Sequence, residues 1–165
     1  MGNPIINIKK DATDIVFEVC AFIGLGVLLL LPIIYNADLL DQIPTHFNAK
    51  GEPDNYSSKT SIWVLPVIGL LMVVGLYILN KFPHKFNYPS KISEDSAPRY
   101  YKITTRLIRV INLIIAWSFA YILYGSIQVA IGVYDGLGNW FLPVFIGALL
   151  GVMIYFILKS RKITN

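Results

Sequence analysis

Charged residues and cysteine are scarce in this sequence. Charged residues make up only 15% of the 165 positions, whereas an average soluble domain has about 25%. The single cysteine, Cys20, excludes an intrachain disulfide. Residues 19–37, 61–79, 110–134 and 136–158 contain no charged residue at all. Shortages of this kind are typical of a membrane protein and argue against an ordinary soluble domain.

The motifs of the common enzyme classes are also missing. The chain has no HExxH, GxSxG, Walker or Rossmann pattern. His46 and the acidic residues near it do not have the spacing of a known metal site. No pair of charged residues lies inside the apolar runs, so no ion pathway is visible. We therefore expect no enzyme activity, no metal and no cofactor, although transport by a larger homo-oligomer stays open.

Four apolar segments dominate what the sequence does contain. A helix needs roughly 20 apolar residues to cross a bilayer, and in hydrocarbon its backbone groups must be paired within the segment. The sequence therefore predicts an all-α fold, an integral membrane four-helix bundle that forms a single domain. The predicted spans are about residues 17–37, 61–80, 108–134 and 137–158.

The distribution of lysine and arginine predicts the orientation in the membrane. With the N-terminus in the cytoplasm, 12 of the 14 basic residues fall on the cytoplasmic side. We expect a multipass protein of the cell (inner) membrane, with both termini and the loop 81–107 in the cytoplasm and the loop 38–60 outside. The lipid bilayer is thus the expected partner, and nucleic acid is not. The basic segment around loop 81–107 is either a topology signal alone or also a contact for anionic lipid.

Three polar residues lie at or within the predicted spans. Glu18 is close to the cytoplasmic interface, so we expect it to be in water or paired with a nearby base. Asn112 and Gln128 lie on the third span, where side-chain hydrogen bonds between helices are the simplest prediction.

Small residues predict close helix packing. Ala116 and Ala120 form a small-xxx-small pair on the third span, and Gly147 and Gly151 form another on the fourth. The predicted turn between these spans, residues 135–138, is very short. The pairs favour packing within one chain or between copies, so a homo-oligomer stays open.

The outward loop 38–60 has the composition of an ordered structure. It contains the apolar residues Ile43, Phe47 and Tyr56, which favour a surface to pack on. Lys50-Gly51 suits a left-handed backbone position, and residues 52–55 suit a turn. Long ordered loops are often functional. The candidate binding or loop-structural residues are Pro44, His46, Phe47, Gly51, Asp54, Tyr56, Ser58 and Lys59.

A short pattern in this loop resembles a known family. It consists of residues 43–47, Ile-Pro-Thr-His-Phe, then Gly51, Asp54 and Ser58-Lys59. The pattern is similar to a membrane domain of unknown function at the N-terminal end of SdpI-type proteins, which are bacterial immunity factors against a secreted peptide toxin. The resemblance covers roughly residues 20–75, and no counterpart of the family's second half is found after residue 100. It implies a structural or ligand-facing loop between two membrane spans.

Two functional hypotheses follow from the loop and the spans. The first is a membrane interaction protein whose outward loop recognises a peptide or membrane protein, as toxin immunity would require. Because the loop carries four acids and two lysines, a cationic peptide is the favoured ligand. The alternative is an accessory or scaffold subunit of a membrane transporter or enzyme complex.

Overall fold

Four long helices and one β-hairpin make up most of the chain. The computed structural model describes residues 3–88 and 91–164, with side chains up to residue 161. The main elements are helix α1 (Ala12–Tyr35), strands β1 (Gln42–Phe47) and β2 (Pro53–Ser58), and helices α2 (Val64–Leu79), α3 (Ala97–Ala130) and α4 (Phe141–Thr164). Short 3₁₀ turns occupy Lys59–Trp63, before α2, and Pro83–Lys85, after it.

Four helical spans are long and apolar enough to cross a membrane, and the second comprises the 3₁₀ turn from Lys59 together with α2. Two of them begin well before the charge-free runs, because polar turns extend the helix outside the apolar segment. The first begins at Ala12 behind a capping box, in which the Asp11 and Asp14 side chains each accept the other residue's backbone N–H. The third begins at Ala97, with Pro98 in its first turn. These helices fit the predicted multipass membrane protein.

The prediction of an all-α fold is wrong in one respect. The loop between α1 and α2 is ordered, as expected, but it contains the two antiparallel strands β1 and β2. Pro44 and Pro53 lie within these strands, and proline disfavours a helix over both segments. The ladder is irregular on either side of His46, which is typical of a β-bulge.

Helices α1, α2 and α3 form the main core together with the hairpin. Gly24 on α1 lies so close to α3 that a Cβ atom there would be 3.2 Å from the Cβ of Ala116. The Ala116/Ala120 pair therefore packs inside the bundle. The buried core residues are Leu25, Leu28, Leu31, Leu39, Ile43, Ile62, Val73, Ala116, Ala120, Leu123 and Ile127.

Helix α4 lies outside this core. It packs mainly on α3, with the Phe141 ring stacked on Tyr121 at a centroid distance of 5.1 Å. A Cβ atom on Gly147 or Gly151 would meet nothing within 4 Å, so this glycine pair does not serve packing within the chain. The connection from α3 comprises residues 131–140 and is longer than the predicted turn.

The bundle has two different ends. The hairpin end carries β1, β2 and the α3–α4 connection. The terminal end carries the N-terminal segment, which packs on the α2–α3 connection: the Asn3 side chain donates hydrogen bonds to the carbonyls of His84 and Phe86. A second buried cluster there contains Ile92, Ala97, Tyr100 and Tyr101, flanked by Ile6, Ile8 and Tyr88.

Candidate functional site

The turn of the hairpin is built around Asn48. Its Oδ1 accepts hydrogen bonds from the backbone N–H groups of Lys50, at 2.8 Å, and Glu52, at 3.1 Å. Its side-chain NH₂ donates to the Glu52 carboxylate at 2.8 Å. Gly51 has a φ of 79°, a left-handed conformation that glycine adopts without steric cost. Asn48 was not among the predicted site residues, although asparagine ahead of such a turn is a known signal.

Two backbone contacts fix the hairpin on the helices. The Ser126 hydroxyl of α3 donates a hydrogen bond to the carbonyl of Pro44, which is fully buried. The Leu137 N–H, in the α3–α4 connection, donates to the Gly51 carbonyl at 2.8 Å. A Cβ atom on Gly51 would lie 2.5 Å from the Gly138 oxygen. Pro44 and Gly51 therefore position the hairpin on the helices.

The outer face of the hairpin carries polar and aromatic side chains. His46 Nδ1 lies 2.5 Å from Asp54 Oδ1 across the two strands, and both side chains are largely exposed, at 66% and 42%. The Tyr56 side chain is exposed on β2. The Ser58 hydroxyl is 2.8 Å from the hydroxyl of Thr60, at the exit toward α2. These residues form an accessible polar surface.

An apolar groove of about 420 Å³ lies beneath the hairpin. Phe47 contributes its ring to one wall, and Ile68 on α2 and Leu123 on α3 contribute to the other walls. Four hydroxyl side chains also line it, from Thr45, Ser57, Ser61 and Ser126. Mostly apolar walls with a few polar groups are the usual chemistry of a binding site. The hairpin thus creates a groove that neither the helices nor the loop would form alone.

The structure therefore separates the predicted site residues into groups with different environments. Pro44 and Gly51 hold the hairpin in place, and both Pro44 and Phe47 line the groove. On the surface lie His46, Asp54, Tyr56 and Ser58, while Lys59 is half-buried at the start of the 3₁₀ turn and its N–H donates to the Asp41 carbonyl at 2.9 Å.

A charged cluster joins α1 to α3 at the terminal end. Arg109 Nε donates to Glu18 at 2.8 Å, and Arg106 Nε donates to Asp14 at 2.9 Å. Lys102 Nζ is 2.5 Å from Asp14, whose side chain is only 1% exposed. Glu18 is thus paired with a base, which confirms that prediction. From the sequence, the bases of α3 are interpreted as a topology signal or as a contact for anionic lipid. Their pairing with the acids of α1 is not predicted.

A sequence signal for this cluster exists. Acids recur at positions 11, 14 and 18, and bases recur at positions 102, 106 and 109, so each set occupies one face of its helix. The N–H of Asp14, and then Lys102 and Arg106, hold the pKa of Asp11 well below its usual range. Asp11 is therefore ionised, and its contact with α3 is electrostatic at neutral pH.

Comparison with known proteins gives a match around the hairpin. Residues 23–70 match the family model of DUF1648, a domain of unknown function. The matched segment runs from the middle of α1, through the hairpin, into α2, and covers less than a third of the chain. The predicted resemblance to a domain of unknown function is confirmed to that extent.

One relative is an uncharacterized protein of the archaeon Archaeoglobus fulgidus. It is 25% identical to this chain over 111 residues, which cover 59% of this chain and 61% of the relative. The alignment thus leaves more than a third of the relative's length unmatched. No solved structure matches the chain.

Proposed function

We propose that this protein recognises a cationic, amphipathic peptide at the hairpin end. In this proposal an apolar side chain of the peptide enters the groove beneath β1, and its basic residues face the acids of the hairpin. The observation that carries the proposal is the groove itself, because its walls are mostly apolar and four hydroxyl side chains also line it. It supplies the burial on which affinity depends.

Charge supports the choice of a cationic ligand. Segment 38–60 contains Asp38, Asp41, Glu52 and Asp54 against Lys50 and Lys59. The carboxylates of Asp38 and Asp41 are exposed at the base of the hairpin. Complementary charge of this kind steers association and selects among partners.

Orientation and family resemblance support an extracellular peptide. The excess of basic residues at the terminal end favours that end in the cytoplasm and the hairpin outside. The resemblance to SdpI-type proteins extends the proposal to immunity against a secreted peptide toxin. A peptide arriving from outside would then meet the hairpin first.

A groove-filling variant tests the proposal. Ser61 lines the groove and is half-buried, whereas its neighbour Thr60 is exposed and does not line it. We expect S61F to weaken binding of a labelled Lys/Leu peptide to the purified full chain by tenfold or more, roughly the effect of losing one buried apolar contact. T60F adds the same ring next to the groove and is expected to bind as the wild type does.

Two outcomes would contradict this proposal. Equal binding by S61F and the wild type would show that the groove is not the site. Equal binding of a Glu/Leu peptide would show that the acids of the hairpin do not select the ligand. Thermal unfolding of both variants, measured in the same detergent, shows whether each one is folded.

The scaffold hypothesis is supported by a different observation. More than half of the apolar residues of helix α4 are exposed, and Gly147 and Gly151 have open space beside them. Such a face permits close approach of a partner helix. Copurification of one membrane protein that is lost in G147L but retained in S61F would favour the scaffold role over peptide recognition.

A further inference from the structure

A polar cavity of about 210 Å³ opens at the terminal end of the bundle. It lies between the N-terminal segment, the first turns of α1, the end of α2 and the adjoining part of α3. The cavity is smaller than the about 300–1,000 Å³ of a typical small-molecule site. Its size suits a small polar group better than a whole lipid or drug-sized molecule.

The charges lining this cavity leave an excess of positive charge. Four bases and two acids line it, and the acids are already paired. Glu18 binds Arg109 and Lys10, while Asp14 binds the bases of α3. Among the described residues, no carboxylate lies within 4.0 Å of Lys9 or Lys81. These two lysines are available to an anion.

Two of the ammonium groups lie near the ring of Tyr77. Lys10 Nζ lies 5.4 Å from the centroid of the Tyr77 ring, and Lys81 Nζ lies 4.7 Å from it. Lys10 is paired with Glu18 at 2.6 Å, whereas no carboxylate among the described residues pairs with Lys81. An anion in this part of the cavity is attracted to the charge that stays unpaired. The aromatic ring and the lysines also stand where the apolar run of α2 ends, which is the usual level of lipid headgroups.

Asn80 has an unpaired acceptor, which favours a ligand that carries a hydrogen-bond donor. Its side-chain NH₂ donates to the Thr105 carbonyl at 3.0 Å, but its Oδ1 has no partner although the residue is only 7% exposed. Asn80 lines the cavity. Buried polar atoms are normally paired, so a ligand here is expected to carry an O–H or N–H group as well as negative charge.

We propose that this cavity binds the phosphoglycerol headgroup of an anionic phospholipid. The phosphate lies between Lys9, Lys10 and Lys81, and a glycerol hydroxyl donates to Asn80 Oδ1. The acyl chains remain outside the cavity, along the apolar end of α2. The site is at the opposite end of the bundle from the groove, so it does not depend on the proposed peptide binding.

Lipid titration of the purified full chain in an uncharged detergent tests this site. We expect phosphatidylglycerol to raise the midpoint of thermal unfolding saturably. Phosphatidylmethanol has the same charge without the diol, and we expect it to need several times the concentration. The K9A/K81A double variant should weaken the effect of phosphatidylglycerol by tenfold or more, since each base near a membrane surface contributes to anion attraction.

A matched control removes two lysines that do not line the cavity. Lys91 and Lys159 are exposed at the same end, so K91A/K159A changes the net charge equally and should respond as the wild type does. Equal weakening in both double variants would overturn the proposal in favour of general surface attraction. Equal potency of the two lipids would overturn hydroxyl recognition, and a response only to free glycerol 1-phosphate would exclude lipid as the source.

Discussion

At the scale of single residues, some residues of the hairpin hold it on the helices and others are exposed on its surface. Pro44 and Gly51 contact the helices through their own backbone carbonyls, which accept hydrogen bonds from Ser126 and Leu137. Those contacts depend on the path of the backbone through the hairpin. His46 and Asp54 contact each other and are exposed. Substitutions in the first pair should therefore act through folding, and substitutions in the second pair through recognition.

Gly51 provides the sharpest test of this division. We expect G51A to lower the free energy of unfolding by about 1–3 kcal/mol, because a left-handed backbone disfavours a Cβ atom. The same Cβ would also lie 2.5 Å from the Gly138 oxygen. Thermal unfolding in detergent measures the change.

A second glycine supplies the control for that substitution. Gly147 is helical and a Cβ atom there would meet nothing within 4 Å, so G147A should leave the unfolding temperature nearly unchanged. A G51A variant as stable as G147A would show that the hairpin tip is not docked on the α3–α4 connection.

Some of these residue roles could be predicted from the sequence, and others could not. Gly51 before a turn has a recognisable signature, and the expected left-handed conformation is confirmed. Glu18 pairs with Lys10 and with Arg109, which lies 91 positions away. The matching spacing of the acids and bases signals the cluster, but it does not show which acid meets which base. Ser126 was missed for the same reason, since a serine in an apolar run gives no sign of the carbonyl it binds.

At the scale of elements, the hairpin covers the groove, and its position depends on α3. Ser126 is a side-chain link between them, and its removal would take one hydrogen bond from the buried Pro44 carbonyl. Such a hydrogen bond contributes about 0.5–1.5 kcal/mol to stability. Phe47, which lines the groove, lies three residues after this anchor in β1, so we expect its position to depend on the same bond.

We therefore expect S126A to loosen the hairpin without unfolding the bundle. Hydrogen exchange at the amides of β1 and β2 should become faster, while exchange in α2 stays as in the wild type. Ser118 lies about two turns earlier on α3, and S118A is the control on the same helix. Unchanged hairpin exchange in S126A would contradict the proposed anchor.

The helices could be predicted and the strands could not, for physical reasons. Each helix contains a charge-free run near the length that a bilayer requires. Strand β2 instead contains proline, aspartate, asparagine and serines, which have low strand propensity. Strand β1 buries the neighbours Ile43 and Pro44 together, so it lacks the alternation by which a half-buried strand is recognised.

At the scale of the whole molecule, different chemistry joins the helices at the two ends. The charged cluster links α1 to α3 at the terminal end, and the hairpin bridges the helices at the other end. This division agrees with the asymmetry of basic residues from which the orientation is predicted. The terminal end is expected to face the cytoplasm.

Single-cysteine labelling tests that orientation. In a C20A background, K50C at the hairpin tip should react with a membrane-impermeant maleimide in intact cells, because Lys50 is exposed. K85C, exposed near the α2–α3 connection, should react only after the membrane is permeabilised. The reverse pattern would place the hairpin in the cytoplasm and would contradict recognition of an external peptide.

The peripheral position of α4 has a consequence for biogenesis. A ribosome releases α1, the hairpin, α2 and α3 before α4. That nascent chain already holds every residue of the main buried core and both sides of the charged cluster. The α3–α4 connection, which donates the Leu137 hydrogen bond to Gly51, follows together with α4. We therefore expect α1, α2 and α3 to begin assembling before α4 reaches the translocon. The hydrogen bond from the α3–α4 connection then fixes the tip of the hairpin.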